Sequence, residues 1–499
     1  MVVSHAPSRA RVLSTPPAMR LVDADARLVG DEREPDPRVV DRTRLVARAP
    51  VVDAAVPKAT PRGSAHPRNA PTARVAAARR RLAHVSSVIT PAPASPPRAI
   101  VVVGGMVLDV TARPSPGQPL RRGSSTPGRI IQTPGGVGRN IAEGILRVSP
   151  PGVEAPLLIS AVGDDLAGRA LIGAWTDLGA SPDAIRVRVG AATPVVAAVL
   201  DGEGEVAASV ADTVTAERDI DPSWIANHAR RIANAAAVVL DGNCSPEALA
   251  AATAAAKGDD AGASDARDSP SASRRGPSVW FEPVSVAKST RAGEAGILSR
   301  VDFVSPNVAE LRAMAADVRA RENGDVSETA TRATTATLRD ATETATSARP
   351  TAGSHDGPYA SAWEAAKATA RDAETLLRAG VGRVVLTLGS LGVLVCERNP
   401  DGVGARHTHL PALPAKVRSA IGAGDALVAG CVAALSAGRA VEEAVAIGVA
   451  AARRAVESDE NVGDASRGEG TVTDALEADA REVTRRASAA TVTADDRGS

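Results

Sequence analysis

Residues 421–425 read Ile-Gly-Ala-Gly-Asp, and the apolar run Ala-Leu-Val-Ala-Gly-Cys-Val-Ala-Ala-Leu follows at 426–435. Small residues let backbone N–H groups face an anion, and the apolar run predicts a buried helix whose start attracts phosphate. Asp425 lies on the first turn of that helix. Its carboxylate either favours helix formation there or accepts a proton from a hydroxyl that attacks a bound phosphate. This stretch alone leaves both roles open.

The composition excludes several classes of protein. The 499 residues carry 58 Lys and Arg against 58 Asp and Glu, so no basic field indicates nucleic acid. Two Phe, one Tyr and four Trp offer few platforms for stacked bases. No apolar run approaches the roughly 20 residues that span a bilayer. Cys244, Cys396 and Cys431 lie far apart, without the spacing of a zinc site or a disulfide framework. We expect a soluble intracellular protein with neither a nucleic-acid nor a membrane partner.

The first 97 residues are rich in Arg, Pro, Ala and Ser and show little periodicity. Residues 1–22 carry three Arg and no acid, as an organelle transit peptide would, but acids follow from Asp23 onward. Segment 1–97 is therefore either a disordered extension or a transit peptide. The expected compartment is cytoplasmic in the first case and organellar in the second.

Strand and helix patterns alternate between residues 98 and 462. The predicted strands are 99–109, 157–165 with its loop, 193–210 as a hairpin, 237–241, 279–283, 301–305, 383–387 and 393–396. The predicted helices are 141–146, 168–178, 222–235, 246–257, 363–379, 441–457 and the one that starts near Gly422. This alternation predicts an α/β domain with a mostly parallel sheet, helices on both faces and a ligand site at the carboxyl ends of the strands.

Low-complexity composition marks the segments outside this domain's core. We predict disordered insertions at 258–276 and 316–360, which are charged and rich in Ala, Ser or Thr, and a disordered tail at 463–499. Their removal leaves about 300 residues, which suits one large domain over 98–462.

Three polar or glycine-bearing strand ends are expected at one edge of the sheet: Asp109, the segment 135–140 and the segment 422–425. The Asp109 carboxylate and the Asn140 amide would both hydrogen-bond a polyol. The alternative is that Asp109 caps a turn and Asn140 caps a helix.

In combination, four motifs resemble the ribokinase-like (PfkB-type) carbohydrate kinases over most of residues 99–462. They are Gly-Gly-Val-Gly-Arg-Asn at 135–140, Asn-Val-Ala-Glu at 307–310, Thr-Leu-Gly-Ser-Leu-Gly at 387–392 and Gly-Ala-Gly-Asp at 422–425. The resemblance implies a three-layer sandwich with a small β lid, built from 111–131 and 191–211. It also implies a homodimer that pairs through the lid.

Within this family the chain is most similar to the pseudouridine kinases. The similarity lies in Gly-Gly-Met-Val-Leu-Asp-Val at 104–110, Thr-Pro-Gly-Arg-Ile-Ile-Gln-Thr-Pro-Gly-Gly-Val-Gly-Arg-Asn-Ile-Ala at 126–142, Leu-Asp-Gly-Asn-Cys at 240–244, Phe-Glu-Pro-Val-Ser-Val-Ala-Lys at 281–288 and Val-Glu-Ser-Asp at 456–459. It implies ATP-dependent phosphorylation of the ribose 5′-hydroxyl of pseudouridine. The alternatives are a kinase for ribose, fructose or adenosine, and a nucleotide- or sugar-binding regulator that transfers no phosphate.

The resemblance also implies a role for the last motif. Asp425 is expected to act as the base, while the N–H groups of Gly422, Ala423 and Gly424 stabilise the transferred phosphoryl group. Where many relatives have a polar triplet before this motif, the chain has Ser-Ala-Ile at 419–421. The missing hydroxyl leaves activation by a monovalent cation open.

The other motifs are expected to bind the metal and the two substrates. Asn307 and Glu310 would orient Mg²⁺ through water, unless Glu310 is an ordinary solvated helix residue. The nucleotide would contact Thr387, Gly389, Gly392 and Lys288. The phosphoryl acceptor would contact Asp109, Gly135, Gly136, Asn140, Asp241 and Asn243. For Lys288, simple exposure is the alternative.

Overall fold

The computed structural model describes residues 98–121, 123–149, 153–202, 206–258, 276–324, 359–400, 404–458, 462 and 471–492. The predicted N-terminal extension 1–97 lies outside these residues, and so does most of the predicted insertions 258–276 and 316–360. These three expectations stay predictions.

The secondary structure follows the predicted alternation. The described residues form strands β1 (Val101–Val103), β2 (Val107–Pro114), β3 (Gly128–Gly135), β4 (Leu157–Gly163), β5 (Ile185–Arg188), β6 (Val195–Leu200), β7 (Val206–Asp212), β8 (Ala237–Asp241), β9 (Ser278–Glu282), β10 (Phe303–Val304), β11 (Arg383–Thr387), β12 (Val393–Arg398), β13 (Ala405–Leu410) and β14 (Ser488–Val492). They form helices α1 (Val137–Val148), α2 (Leu166–Asp177), α3 (Val214–Asp219), α4 (Pro222–Asn227), α5 (Ala229–Ala233), α6 (Pro246–Lys257), α7 (Val286–Ser289), α8 (Arg291–Glu294), α9 (Val308–Glu322), α10 (Ala362–Arg378), α11 (Ala423–Ser436), α12 (Val441–Val456) and α13 (Thr471–Arg485). Short 3₁₀ turns lie at Leu298–Arg300 and Gly389–Leu391.

Ten strands form the central sheet, in the order β14-β13-β12-β11-β10-β9-β8-β1-β4-β5. From β5 to β11 all neighbouring strands run parallel, whereas β12, β13 and β14 continue the sheet in antiparallel pairs. The carboxyl ends of the parallel strands therefore meet at one edge, where ligands bind in open α/β sheets.

Helices cover both faces of this sheet. In β1, Val101 and Val103 pack with α4, α5, α6, α9 and α10, while Val102 packs with α1, α2, α11, α12 and α13. Because successive strand residues face opposite sides, a run of three buried valines requires a layer on each side. The predicted three-layer α/β sandwich is confirmed.

A second sheet of four strands, in the order β3-β2-β6-β7, forms the lid. β2 pairs antiparallel with β3 and parallel with β6, and β6 turns back as a hairpin onto β7. The lid strands lie where the resemblance implies them. The pairing of two chains through this sheet stays a prediction.

The predicted single strand 99–109 is wrong, because the chain leaves the central sheet after β1 and enters the lid as β2. The break falls at Gly104, where a Cβ atom would lie 2.5 Å from the Asp241 Cβ and 2.8 Å from the Gly138 Cα. An apolar run in the sequence does not show a bend that neighbours from distant segments require. Asp109 is consequently a lid residue.

The predicted disordered tail is wrong over residues 471–492, which form α13 and β14. Leu476, Ala480 and Val483 are buried, at the i, i+4, i+7 spacing of an amphipathic helix. β14 pairs antiparallel with β13 and extends the sheet edge. The polar composition concealed this sparse apolar stripe.

The predicted disordered insertion 316–360 is wrong over residues 316–322, which are helical. Helix α9 continues through residue 316 to Glu322, and its Val318 is buried in the core. Strands β5 and β13 were not predicted from the sequence. Within the described part of the chain, no helix is both long and apolar enough to cross a membrane.

Candidate active site

The start of α11 is open to a ligand. Gly422, which precedes the helix, has φ 79°, a left-handed conformation that favours glycine, and no side chain caps the helix. Gly424 is exposed, and among the described residues no heavy atom would lie within 4 Å of a Cβ atom placed there. A side chain at this position would meet no neighbouring described segment, and the positive end of the helix dipole lies at this exposed turn.

Asp425 lies on the first turn of α11 and is 9% exposed. Asn140 Nδ2 donates a hydrogen bond of 2.8 Å to Asp425 Oδ2. Burial raises the pKa of Asp425 to about 7, and the hydrogen bond from Asn140 opposes that rise. The negative charges of Asp241 and Asp109 add to the rise in pKa. A carboxylate of this pKa accepts protons effectively near neutral pH.

The predicted grouping of Asp109, Asn140 and Asp425 is therefore present at one site. Asn140 comes from α1 and bonds directly to the Asp425 carboxylate, whereas Asp109 comes from β2 and acts on it by charge. The alternative of a helix-capping Asn140 does not describe the structure, since Asn140 lies inside α1 and Gly136 is at the cap.

The start of α1 is filled by protein. Gly136 has φ 95°, and a Cβ atom there would lie 2.5 Å from the Gly105 carbonyl oxygen. A Cβ atom at Gly138 would lie 2.6 Å from the Gly104 Cα. Gly135 is the buried last residue of β3. These glycines allow two backbone segments to touch, a structural reason for their presence that is separate from substrate binding.

Asp241 ties the same segments together from the end of β8. Its Oδ2 accepts hydrogen bonds from the N–H groups of Gly105 (2.9 Å) and Gly138 (3.0 Å). Its Oδ1 accepts bonds of 2.8 Å from both the N–H and the Nδ2 of Asn243. Asp241 is fully buried, and these four donors oppose the rise in its pKa that burial causes. The geometry makes it a support for the pocket wall.

Lys288 belongs to the same group. Its ammonium group donates to Asn243 Oδ1, while the Asn243 amide donates to Asp241. The structure therefore places Lys288 beside the predicted acceptor residues rather than presenting it as a plainly exposed side chain.

Asn307 and Glu310 form a capping box at the start of α9. Asn307 Oδ1 accepts from the Glu310 N–H at 2.9 Å, and Glu310 Oε2 accepts from the Asn307 N–H at 2.8 Å. Glu310 is buried, which raises its pKa, so it is not an ordinary solvated residue. The capping box is a structural reason for an Asn and a Glu three residues apart, and it holds the Glu310 carboxylate at the edge of the sheet.

Glu282, at the end of β9, is a site residue that the sequence reasoning missed. Ser305 Oγ donates to its carboxylate and in turn accepts a 2.7 Å bond from Trp280 Nε1. Burial raises the pKa of Glu282 well above its ordinary value, and the charges of Asp425 and Glu310 raise it further. An acid directly after the buried strand residues 279–281 was the available signal.

These oxygens suit a hard cation that keeps part of its water shell. Among the described residues, no group of three or more His, Cys, Asp or Glu is arranged to hold a metal ion directly. The charge of Glu310 raises the pKa of Glu282, and both side chains offer the oxygen ligands that Mg²⁺ prefers. Such an ion would be bound through water and substrate phosphate rather than by the protein alone.

The turn after β11 is rigid. Its 3₁₀ segment begins at Gly389 (φ 55°) and is followed by Gly392 (φ 97°), where a Cβ atom would lie 2.3 Å from the Leu410 carbonyl oxygen. Thr387 precedes the turn, and its N–H donates to Pro306 O at 2.9 Å, which places it beside the start of α9.

One further contact supports this turn. His409 Nε2 lies 2.7 Å from the Leu391 carbonyl oxygen. The histidine pairs with Leu394 across the β12–β13 ladder, so its contact with the turn depends on a strand that the sequence did not predict.

The model of the pfkB family of carbohydrate kinases matches residues 98–333 and 357–463. The chain belongs to this family.

A pseudouridine kinase of Arabidopsis thaliana is 34% identical over 398 residues, which cover 72% of this chain and 91% of that protein. A pseudouridine kinase of Escherichia coli strain K12 is 32% identical over 151 residues, 30% of this chain and 46% of that protein. The structure of an Arabidopsis thaliana ribokinase complexed with ribose and ATP aligns with a TM-score of 0.53 and 17% identity, over 76% of this chain and 98% of that one.

As a pfkB-family member, the chain is a phosphotransferase with an alcohol group as acceptor and has the ribokinase-like fold. The predicted family is confirmed, and so is the predicted similarity of this chain to pseudouridine kinases.

Proposed function

We propose that this chain is an ATP-dependent kinase that phosphorylates the ribose 5′-hydroxyl of pseudouridine. The observation that carries the proposal is Asp425, a buried carboxylate with a pKa of about 7, held by Asn140 beside the open start of α11. The identity with the Arabidopsis pseudouridine kinase, over 91% of that protein, favours the substrate.

Asp425 is the proton acceptor in this reaction. Its carboxylate takes the proton of the 5′-hydroxyl as the oxygen forms a bond to the γ-phosphorus of ATP. The bond from the γ-phosphorus to the bridging oxygen breaks, and ADP leaves with that electron pair. Because Asp425 is buried, little water competes for the proton.

The start of α11 provides the anion site. The N–H groups of Gly422, Ala423 and Gly424 stabilise the charge on the transferred phosphoryl oxygens, and the helix dipole adds to this effect. Asn307, Glu282 and Glu310 would hold Mg²⁺ through water. When bound, this ion neutralises charge on the β- and γ-phosphates.

The acceptor pocket lies between α1 and the lid. Asp109 on β2 and Asn140 on α1 are placed to hydrogen-bond ribose hydroxyls, while Asp241, Gly135 and Gly136 shape the wall behind them. With the acceptor bound, the four-stranded lid sheet would close over the pocket and exclude water from the transfer.

The nucleotide is proposed to bind on the other side of α11. Thr387, Gly389 and Gly392 border it, and the positive φ of both glycines lets the chain turn there. Lys288 is assigned to the acceptor side, because its ammonium group is bonded to Asn243.

A panel of acceptors tests the proposal. The full chain is incubated with ATP, Mg²⁺ and pseudouridine, uridine, ribose, fructose or adenosine, and the products are identified by mass and by the position of the phosphate. We expect pseudouridine 5′-phosphate as the main product. Good turnover of ribose beside none of pseudouridine would refute the substrate. Binding of ligands without phosphate transfer would refute the enzymatic role.

A further inference from the structure

Helix α1 carries a buried charged cluster beside the site. Arg139 is 6% exposed and Glu143 is 2% exposed, and Glu143 forms ion pairs with both Arg139 and Arg147, each four residues away. A cation on the first turn of a helix opposes the helix dipole, and burying one without a partner is costly. Glu143 removes that cost, but it does not explain why an arginine is at position 139.

Two further hydrogen bonds of Arg139 lead toward the active site. Its Nη1 donates to the Pro134 carbonyl oxygen at 2.9 Å and to Asn140 Oδ1 at 3.3 Å. The other end of the same amide, Asn140 Nδ2, donates to Asp425 Oδ2 at 2.8 Å. A continuous path of contacts therefore connects the guanidinium group to the Asp425 carboxylate.

The two ends of an asparagine amide have nearly the same shape, so their chemical environment determines which end faces which neighbour. A guanidinium group only donates, so it requires the amide oxygen on its side. The amide nitrogen then faces Asp425 as a donor. The flipped amide would place Asn140 Oδ1 against the carboxylate, an arrangement that tolerates only the protonated acid.

We propose that Arg139 is a positioning residue for the reaction, which holds the Asn140 amide with Nδ2 toward Asp425 and thereby keeps that carboxylate able to accept a proton. This inference rests on the proposed role of Asp425. Pro134 is the second-last residue of β3, so the same guanidinium group also connects the amide to the lid.

The charges around Asp425 make the orientation of this donor important. Asp109 on β2 and Asp241 on β8 raise the pKa of Asp425 by their charge, and Asp425 in turn raises the pKa of Glu282 on β9. The Asn140 amide opposes their effect. When the amide is no longer held, the carboxylate becomes harder to ionise.

The test compares Arg139→Met with Arg147→Met in the full chain. Both variants remove one of the two ion pairs of Glu143, but only the first removes the contact with Asn140. The pKa of Asp425 is read from ¹³C NMR of labelled aspartate carboxyls, with the resonance identified by its loss in Asp425→Asn. We expect Arg139→Met to raise this pKa by about one unit, and Arg147→Met to leave it unchanged.

Turnover should follow the same pattern. With pseudouridine and ATP, Arg139→Met should lose about tenfold in activity at pH 6 but only about twofold at pH 8, while Arg147→Met keeps the wild-type pH profile. In the Asn140→Ala background, Arg139→Met should add no further shift in the Asp425 pKa. If Arg139→Met does not fold, Arg139→Lys, which retains the charge for Glu143, is measured against the same criteria.

Two results would overturn the inference. One is an Asp425 pKa that is equal in Arg139→Met and Arg147→Met. The other is an equal shift with and without the Asn140 side chain, which would mean that Arg139 acts directly by its charge. Because the NMR titration does not depend on turnover, an inactive wild-type chain would refute the proposed substrate while this measurement still decides the role of Arg139.

Discussion

The two glycine-rich helix starts of this chain look alike in sequence and differ in what fills them. Gly136 and Gly422 both have positive φ, and as glycines they offer no side chain of their own to cap α1 and α11. At α1, the Gly138 N–H binds the protein's own Asp241, and the added Cβ atoms would meet backbone. At α11, the position of Gly424 is open. A glycine motif therefore indicates a ligand only where the protein leaves the helix start unfilled.

The largest expected effect is the loss of turnover in Asp425→Asn, the substitution at the start of α11. Asp425→Asn should lower turnover by about 10²- to 10⁴-fold, because the hydroxyl proton has no acceptor, while the affinity for pseudouridine stays nearly unchanged. Turnover is measured by steady-state kinetics and affinity by calorimetry. Turnover close to wild type in Asp425→Asn would remove this residue from its role.

The free energy of unfolding at pH 8 should rise in Asp425→Asn and fall in Asp241→Asn, which changes the acid bound at the start of α1. Burial raises the pKa of Asp425 from an ordinary 3.8 to about 7, so its stabilising contribution is present below pH 4 and is lost as the pH rises toward 7. Asp425→Asn should therefore unfold at higher denaturant concentration than wild type at pH 8. Asp241→Asn should lower the free energy of unfolding by about 1–3 kcal/mol, since an amide cannot accept hydrogen bonds from all four donors. Equal midpoints for the two variants would contradict the comparison.

Two glycine substitutions test whether the helix starts are filled or open. Gly138→Ala should destabilise the fold by about 1–3 kcal/mol, because its Cβ would lie 2.6 Å from the Gly104 Cα. Gly424→Ala should leave the free energy of unfolding unchanged or raise it by up to about 1 kcal/mol, because helix propensity favours Ala and no neighbouring segment obstructs the methyl group. It should also weaken ATP binding. Urea denaturation and nucleotide titration measure both effects, and a destabilised Gly424→Ala would mean that the α11 start is packed.

The smallest expected effect concerns the acids beside the open start. Glu282→Gln keeps an oxygen for the Ser305 hydroxyl but removes a negative charge near Glu310. We expect the Mg²⁺ concentration for half-maximal turnover to rise about 10-fold while the unfolding midpoint stays the same. An unchanged Mg²⁺ requirement would assign Glu282 to packing alone.

Much of the fold was predictable because it depends on local pattern. The buried valines of β1, the hairpin of β6 and β7, and the apolar run after Asp425 indicate an element without knowledge of its neighbours. The bend at Gly104 was not predictable, because it results from contact with Asp241, 137 residues further along the chain. Helix α13 was concealed by its polar composition, since among its described side chains only Leu476, Ala480 and Val483 are buried, in the cluster that also contains α12.

The site shows the same limit. Residues 109, 140 and 425 were predicted to lie together, and they do, because each belongs to a motif with its own local signal. The four hydrogen bonds that Asp241 accepts come from residues 105, 138 and 243, which lie in separate segments, so no local sequence motif predicts them. Glu282 carries a single signal, an acid after a buried strand, which many structural acids share.

A crystal structure of the chain with pseudouridine and a non-hydrolysable ATP analogue tests the central claim most directly. We predict the 5′-oxygen within about 3 Å of the Asp425 carboxylate and the γ-phosphate on the N–H groups of residues 422–424, with no ligand at the α1 start. A γ-phosphate bound away from α11, or a 5′-hydroxyl beyond the reach of Asp425, would contradict the account.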